Sequence, residues 1–267
     1  MKNYLVIGNP IEHSLSPQLH NYWIKNNNIN AIYEKKKLNE DDLQNLISKI
    51  RKKEIHGVNV TVPFKKIIIS HLDALSIEAE STQSVNTILL KDNKIIGHNT
   101  DIDGFGLALQ KLELNFRNKK VFILGSGGVV PSIIFALDKM KVSEIIISNR
   151  TREKAENLRN LHKNLKIVNW GEIPDFDIIV NATSLGLNPE DKIKIDLTNI
   201  GENKLFYDVI YNPKETNFLK TGKELGHKTE NGKMMFIYQA MVAFNLWHGI
   251  KPEVNEEIVK FLDQWLE

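Results

Sequence analysis

Val121-Phe122-Ile123-Leu124-Gly125-Ser126-Gly127-Gly128 decides how this chain folds. Four large apolar residues in a row suit a strand buried on both faces, and the glycines that follow suit a tight turn into a helix. The run continues Val129-Val130-Pro131. Proline is accepted in the first turn of a helix, where its missing N–H has no partner to lose. Strand, glycine turn and helix together are the context of the dinucleotide fingerprint, in which the glycines let the backbone approach a pyrophosphate resting on the helix N-terminus. The third glycine of that fingerprint would stand at Val130, so the match is incomplete and an ordinary strand-to-helix turn stays open.

Working downstream, the pattern predicts a helix over Pro131–Met140, a strand at Glu144–Ser148 and a helix over Glu153–His162. Further strands are expected at Lys166–Val168, Asp177–Asn181 and Lys204–Asp208. Alternation with short connections predicts right-handed βαβ units and a parallel sheet. The strand at Glu144–Ser148 runs into Asn149-Arg150-Thr151-Arg152, about 20 residues past the glycines, where an NAD site offers an acid to the ribose 2′-hydroxyl. No acid stands there before Glu153. A guanidinium and a hydroxyl suit a 2′-phosphate, so Arg150 and Thr151 favour NADP. Thr151 as a plain helix N-cap, with Arg150 in solvent, is the alternative.

Upstream, Tyr4–Gly8 and Gly57–Val62 read as strands, and Pro17–Asn26 and Glu40–Lys53 as helices. Leu43, Leu46, Ile47 and Ile50 form the apolar stripe of the second helix. Thr87–Lys91 and Lys94–Gly97 flank Asp92-Asn93 as a hairpin, and helices at Met234–Trp247 and Glu256–Leu266 close the chain. The fold class is therefore α/β. An N-terminal α/β domain is expected over residues 1–103 and a Rossmann-type doubly wound parallel sheet over 104–235, with closing helices over 236–267 packing back on the first domain.

The composition, 42% hydrophobic and 25% charged with a net charge of +2, is that of a soluble globular protein and offers nothing to nucleic acid. Cysteine is absent, which excludes disulfides, thiolate zinc sites and a cysteine nucleophile. No apolar run approaches the roughly 20 residues that cross a bilayer, so no membrane partner is expected. Met1–Gly8 reads as a first strand rather than a signal peptide, and a cytoplasmic setting follows as the expectation. The histidines lack ligand-like spacing, so no metal is expected.

Two segments carry ionisable side chains just past β-like runs: Asn59-Val60-Thr61-Val62-Pro63-Phe64-Lys65 and Asn99-Thr100-Asp101. Lysine can serve as a general acid–base, and a carboxylate can orient it. Ser14-Leu15-Ser16-Pro17 sets two hydroxyls on the loop after the first strand, suited to a carboxylate. Asn59, Thr61, Asn86 and Asn99 add neutral hydrogen-bonding groups near other strand ends. Singly, each reads as a turn, cap or surface residue. Together they exceed what turns require and suit a polyhydroxylated ligand. A proton mover combined with a dinucleotide site points to a dehydrogenase.

Several blocks then converge: Gly8-Asn9-Pro10-Ile11-Glu12-His13-Ser14-Leu15-Ser16-Pro17, Asn59–Lys65, Ser84-Val85-Asn86-Thr87 and Gly97-His98-Asn99-Thr100-Asp101 with Gly104-Phe105. With Asn181–Gly186, Asp208–Pro213 and Gly232–Ala240, they resemble the shikimate dehydrogenase family in family order over essentially the whole chain. The resemblance implies reversible NADPH-dependent reduction of 3-dehydroshikimate to shikimate, in aromatic amino-acid biosynthesis. It implies a substrate domain followed by a Rossmann NADP domain, in a monomer or homodimer.

Residue by residue, the resemblance implies Lys65 and Asp101 as the catalytic pair, with Lys65 supplying a proton to the carbonyl oxygen. It implies Ser14 and Ser16 on the substrate carboxylate and Asn59, Asn86, Asp101 and Gln239 on its hydroxyls, with Thr61 and Tyr211 completing the pocket. For NADP it implies Gly125, Ser126, Gly127, Gly128, Asn149, Arg150, Thr151, Thr183 and Gly232. A quinate or dual-specificity enzyme of the same family and a non-catalytic sensor are the alternatives. The retained Lys65 and Asp101 oppose the sensor, and the missing acid after the second cofactor strand opposes an NAD-preferring quinate enzyme. Two departures stand out. Val129-Val130-Pro131 lacks the basic residue that often follows the family's glycine turn, which predicts weaker NADP binding, and Gln83 stands where the family tends to have a small residue.

Overall fold

The first apolar run becomes β1 (Lys2–Gly8), buried from Tyr4 onward because both its faces are covered. In the computed structural model, which describes residues 1–161 and 164–266, β1 belongs to the first of two compact units. That unit comprises Met1–Gly104 and Ile237–Trp265; the body of the second is Phe105–Phe236.

In the first unit β1 is followed by α1 (Ser16–Asn26), β2 (Ala31–Lys37), α2 (Leu43–Arg51), β3 (Gly57–Val60) and α3 (Phe64–Ile67). Then come β4 (Ala74–Leu75), α4 (Ile77–Thr82), β5 (Thr87–Lys91), β6 (Lys94–His98) and α5 (Asp101–Gln110), inside which the unit boundary falls. The mixed sheet has the order β2-β1-β3-β5-β6-β4. β1 pairs parallel with β2 and β3, whereas β5 is antiparallel to both β3 and β6. Asp92 and Asn93 take left-handed φ values of 50° and 59°, the geometry that lets a two-residue turn follow the twist of its strands.

The expected helix over Glu40–Lys53 is divided. Asn39 and Asp42 form a capping box around a 3-10 turn at Glu40–Asp42 before α2 begins. The apolar stripe Leu43, Leu46, Ile47 and Ile50 is at most 5% exposed, worth about 1.5–3 kcal/mol per side chain. The expected strand over Gly57–Val62 stops pairing at Val60. Thr61 N still reaches Ile7 O at 2.9 Å, but Phe64 N then turns back to Thr61 O. Gln83 caps α4 in the left-handed region at φ 48°, its Nε2 donating 2.7 Å to Glu80 O, at a position that favours small residues.

The second unit carries β7 (Lys120–Leu124), α6 (Val130–Lys139), β8 (Glu144–Ser148), α7 (Arg152–Glu156), β9 (Leu165–Val168) and β10 (Ile178–Asn181). β11 (Leu205–Asp208), α8 (Asn217–Glu224) and β12 (Lys228–Glu230) complete it. All six strands run parallel in the order β12-β11-β10-β7-β8-β9. The winding therefore reverses between β7 and β10, the switch point where doubly wound sheets take ligands. β12 is short and polar, so its sequence carries no strand pattern. The helix expected over Glu153–His162 is only α7 plus a 3-10 turn at Arg159–Leu161; His162 lies outside the described residues.

The closing helices are α9 (Lys233–His248) and α10 (Glu256–Asp263), the latter ending earlier than the expected Leu266. From Ile237 onward they belong to the first unit: Trp247 Nε1 donates to Ile88 O at 3.1 Å, and Tyr22 OH to Glu257 at 2.6 Å. Glu267, the last residue of the expected closing segment, lies outside the described residues. No described helix is long and apolar enough to cross a membrane.

Candidate active site

Strand ends in the first unit gather the polar residues. Val60 N donates to Asn86 O at 2.8 Å and Asn86 N to His98 O at 3.0 Å, so Asn86 prolongs the sheet between β3 and β6. Val85 N donates to the Lys65 carbonyl at 2.8 Å, which ties α3 to the same segment. Lys65 thus sits in the first turn of a short helix, and Asp101 opens α5. Their side chains meet with Nζ 2.5 Å from Oδ2, and they are 13% and 8% exposed.

A network of neutral groups surrounds that pair. Asn86 Nδ2 donates to Asp101 Oδ1 at 2.8 Å and to Thr100 Oγ1 at 2.9 Å, while Asn86 Oδ1 accepts from Thr87 Oγ1 at 3.0 Å. Asn59 Nδ2 donates to Thr87 Oγ1 at 2.9 Å, and Asn59 Oδ1 accepts from Tyr33 OH at 2.6 Å. Ser14 Oγ donates to Ser16 Oγ at 3.2 Å. Asn59, Asn86, Asp101 and Lys65 are therefore joined in one connected set through Thr87, and Ser14 and Ser16 form a bonded pair of their own. Thr61 lies half-buried at the exit of β3, and Gln239 lies half-buried on α9.

The other residues of interest lie in the second unit. Gly125 has φ +107°, and a Cβ there would come 2.8 Å from Ala182 O and 3.1 Å from Thr183 Cγ2. Only glycine fits that approach between the turns after β7 and β10. Ser126, Gly127 and Gly128 lead into α6, where Pro131 occupies the first turn and Val130 fills the position of the missing third glycine. Gly125 N donates to Ser148 O at 2.8 Å, which joins this turn to the end of β8. There Asn149 Nδ2 donates to Thr151 O at 2.7 Å, and Arg150 and Thr151 are exposed. Thr151 does stand at the N-cap position of α7, but its side chain makes no capping hydrogen bond. The glycine cradle and the acid-free end of β8 fit NADP.

Thr183 is held by Asn181, whose Oδ1 accepts from Thr183 N at 3.1 Å and from its hydroxyl at 2.7 Å. Asn181 Nδ2 in turn donates to both oxygens of Asp208 at 3.1 Å. Burial pushes the Asp208 carboxyl up to about 6, against the lowering effect of bonds from Thr216, Ile210 N and Asn181. Gly232 backs so closely on Val209 that a Cβ would fall 2.1 Å from its carbonyl oxygen. Tyr211 stacks on Phe236 with centroids 4.5 Å apart.

Residues 6–88 match the shikimate dehydrogenase substrate binding domain, and residues 106–205 match the shikimate / quinate 5-dehydrogenase domain. A shikimate dehydrogenase (NADP(+)) of Pelagibacter ubique is 60% identical over 262 residues, 98% of this chain and 99% of that protein. The chain belongs to the shikimate dehydrogenase family.

Solved shikimate dehydrogenases agree in fold. The Aquifex aeolicus structure has a TM-score of 0.89 at 35% identity, covering 97% of this chain and 96% of that one. The Thermus thermophilus structure, in complex with NADP(H) and shikimate, has a TM-score of 0.90 at 30% identity and covers 100% of both chains. Within this member of the shikimate dehydrogenase family, sequence reasoning missed Tyr33 and gave Thr87 and Thr100 no role. A lone tyrosine before Glu34-Lys35-Lys36-Lys37 was the available signal for the first.

Proposed function

We propose that the chain catalyses the reversible NADPH-dependent reduction of 3-dehydroshikimate to shikimate, the oxidoreductase step of the shikimate pathway. The observation that carries this reading is the largely buried Lys65–Asp101 pair, bonded through Asn86 and Thr87 to Asn59, with a bonded serine pair, Ser14 and Ser16, on the same unit. Family membership supports the reaction and the cofactor.

In this reading the first unit carries the substrate. Ser14 and Ser16 donate to its carboxylate, Asn59, Asn86, Asp101 and Gln239 hold its hydroxyls, and Thr61 lines the site. NADPH, when bound, supplies the hydride that adds to the carbonyl carbon. The Lys65 ammonium gives its proton to the carbonyl oxygen, leaving an amine that is reprotonated from water. Asp101 holds the ammonium in place. In the second unit Gly125, Ser126, Gly127, Gly128, Thr183 and Gly232 bind the cofactor, and Asn149, Arg150 and Thr151 take its 2′-phosphate. We assign the protein to the cytoplasm, as a monomer or homodimer.

The test is absorbance at the reduced-nicotinamide band with purified protein, shikimate or quinate, and NADP or NAD. Reduction confined mainly to shikimate with NADP supports the reading. Comparable turnover of quinate, or preference for NAD, would move the chain to the quinate branch. Folded protein inactive with every pair would contradict catalysis altogether.

A further inference from the structure

We infer that Asp208 is a positioning residue for the cofactor, which fixes the turn bearing Thr183 by way of the Asn181 amide. The inference rests on the functional reading above and adds a residue to it.

Asn181 and Asp208 are register partners at the last positions of β10 and β11, at the end of the sheet where doubly wound folds take ligands. Both are 0% exposed. A buried carboxylate is ordinarily paired with a cation. The partners of Asp208 are instead neutral: Asn181 Nδ2 at 3.1 Å from both oxygens, Ile210 N at 3.0 Å from Oδ1 and Thr216 Oγ1 at 2.6 Å from Oδ2. The last two anchor the carboxylate itself. Thr216 is fixed in turn as the N-cap of α8, where its hydroxyl accepts from Leu219 N at 3.3 Å.

An ionised carboxylate only accepts, so Asn181 must turn its Nδ2 toward Asp208. That leaves Asn181 Oδ1 to accept from Thr183 N at 3.1 Å and from Thr183 Oγ1 at 2.7 Å. The same Nδ2 donates to Leu185 O at 3.0 Å, and Leu185 N donates to Thr183 Oγ1 at 3.0 Å, which closes the turn. Two close approaches seat it. A Cβ on Gly125 would come 3.1 Å from Thr183 Cγ2, so the turn faces the glycines after β7. A Cβ on Gly186 would come 3.0 Å from Thr216 Cγ2, so its far end rests on the residue that anchors Asp208. Asp208 thus acts on the cofactor only through where it makes Thr183 stand.

The experiment is calorimetric binding of NADP and of shikimate, with steady-state kinetics, for wild type, D208N, T183V and the double variant; circular dichroism verifies folding. At about pH 8 the carboxyl, raised by burial to about 6, is ionised in wild type. D208N keeps its shape but sets an NH2 group among donors. We expect Kd and KM for NADP to rise about tenfold, with Kd for shikimate within about twofold of wild type. Deleting a negative charge would by itself tighten an anionic cofactor, so the sign of the change separates positioning from electrostatics. In the double variant D208N should add less than about a twofold effect to T183V, because the one acts through the other. A general loss of stability would instead weaken shikimate too and multiply with T183V. Folded D208N with NADP affinity unchanged or raised, or fully multiplicative effects, overturns the inference. If D208N does not fold, N181A takes its place and cuts the same path at its middle: sub-additive losses of NADP affinity support the inference, and multiplicative or absent ones overturn it. A wild type that binds NADP without turning over shikimate overturns the functional reading, while Kd for NADP still decides this inference; an active wild type with an indifferent D208N overturns this inference alone.

Discussion

Lys65 Nζ lies 2.5 Å from Asp101 Oδ2, and the second carboxylate oxygen accepts from Asn86 Nδ2 at 2.8 Å. Asp101 is thus engaged at both oxygens while 6% exposed as a residue. Asp101→Ala would leave an ammonium and an amide without their acceptor. The expected loss is about 3 kcal/mol, since an orphaned charge in a mostly buried site keeps its desolvation cost. A urea midpoint unchanged by the substitution would contradict that account of the pair.

Arg150 is exposed at the end of β8, beside a threonine that makes no cap bond. Arg150→Ala should raise KM for NADP about tenfold, at the low end for a charge-assisted bond, and leave KM for NAD unchanged. The ratio of kcat/KM for the two cofactors reads this directly. An unaltered ratio would return Arg150 to the role of a solvent-facing arginine.

Gly125 permits both a left-handed φ and contact with the Ala182 carbonyl. Gly125→Ala should therefore distort the turn, at a cost of about 1–3 kcal/mol. Because the strain lies in the second unit, NADP affinity should fall while shikimate binding to the free enzyme, followed calorimetrically, stays as in wild type. Equal losses of both would argue against separate binding units.

Acid sensitivity should come from two opposing groups. Burial, with a smaller push from His248, lowers His20 from 6.5 to about 3, so the folded state resists its protonation. The stability this gives is complete above pH 6.5 and drains away as pH falls toward 3, by about 2 kcal/mol at pH 5. Asp208 works in reverse: raised from 3.8 to about 6, it favours the folded state most when protonated, and that advantage is lost as pH rises through 6. Urea midpoints between pH 4 and 7 should then show a steeper acid loss for Asp208→Asn and a shallower one for His20→Phe. Identical slopes in all three proteins would refute the assignment.

The doubly wound sheet was legible because β7, β8, β10 and β11 are apolar runs punctuated by glycine, asparagine or aspartate. The polar strand ends were legible too: Ser14, Ser16, Asn59, Asn86, Lys65 and Asp101 stood out by type, and hydrogen bonds join the last four through Thr87. The buried tyrosine that donates to Asn59 was not legible. Tyr33 contributes one buried residue to a charged edge strand, so it generates no periodicity, and its partner Asn59 is 26 residues away. β12 is three polar residues held by pairing with β11 alone, which no local pattern announces. Glu40–Asp42 turned out 3-10 because Asn39 and Asp42 cap each other, a local bond that competes with the helix.

The most direct test of the account is Lys65→Ala, with turnover and shikimate binding measured separately on folded protein. A proton donor that is not the main binding contact should give a kcat lower by about 10²–10⁴-fold, with Kd for shikimate within about threefold of wild type. Near-normal turnover would remove Lys65 from the chemistry and contradict the central claim.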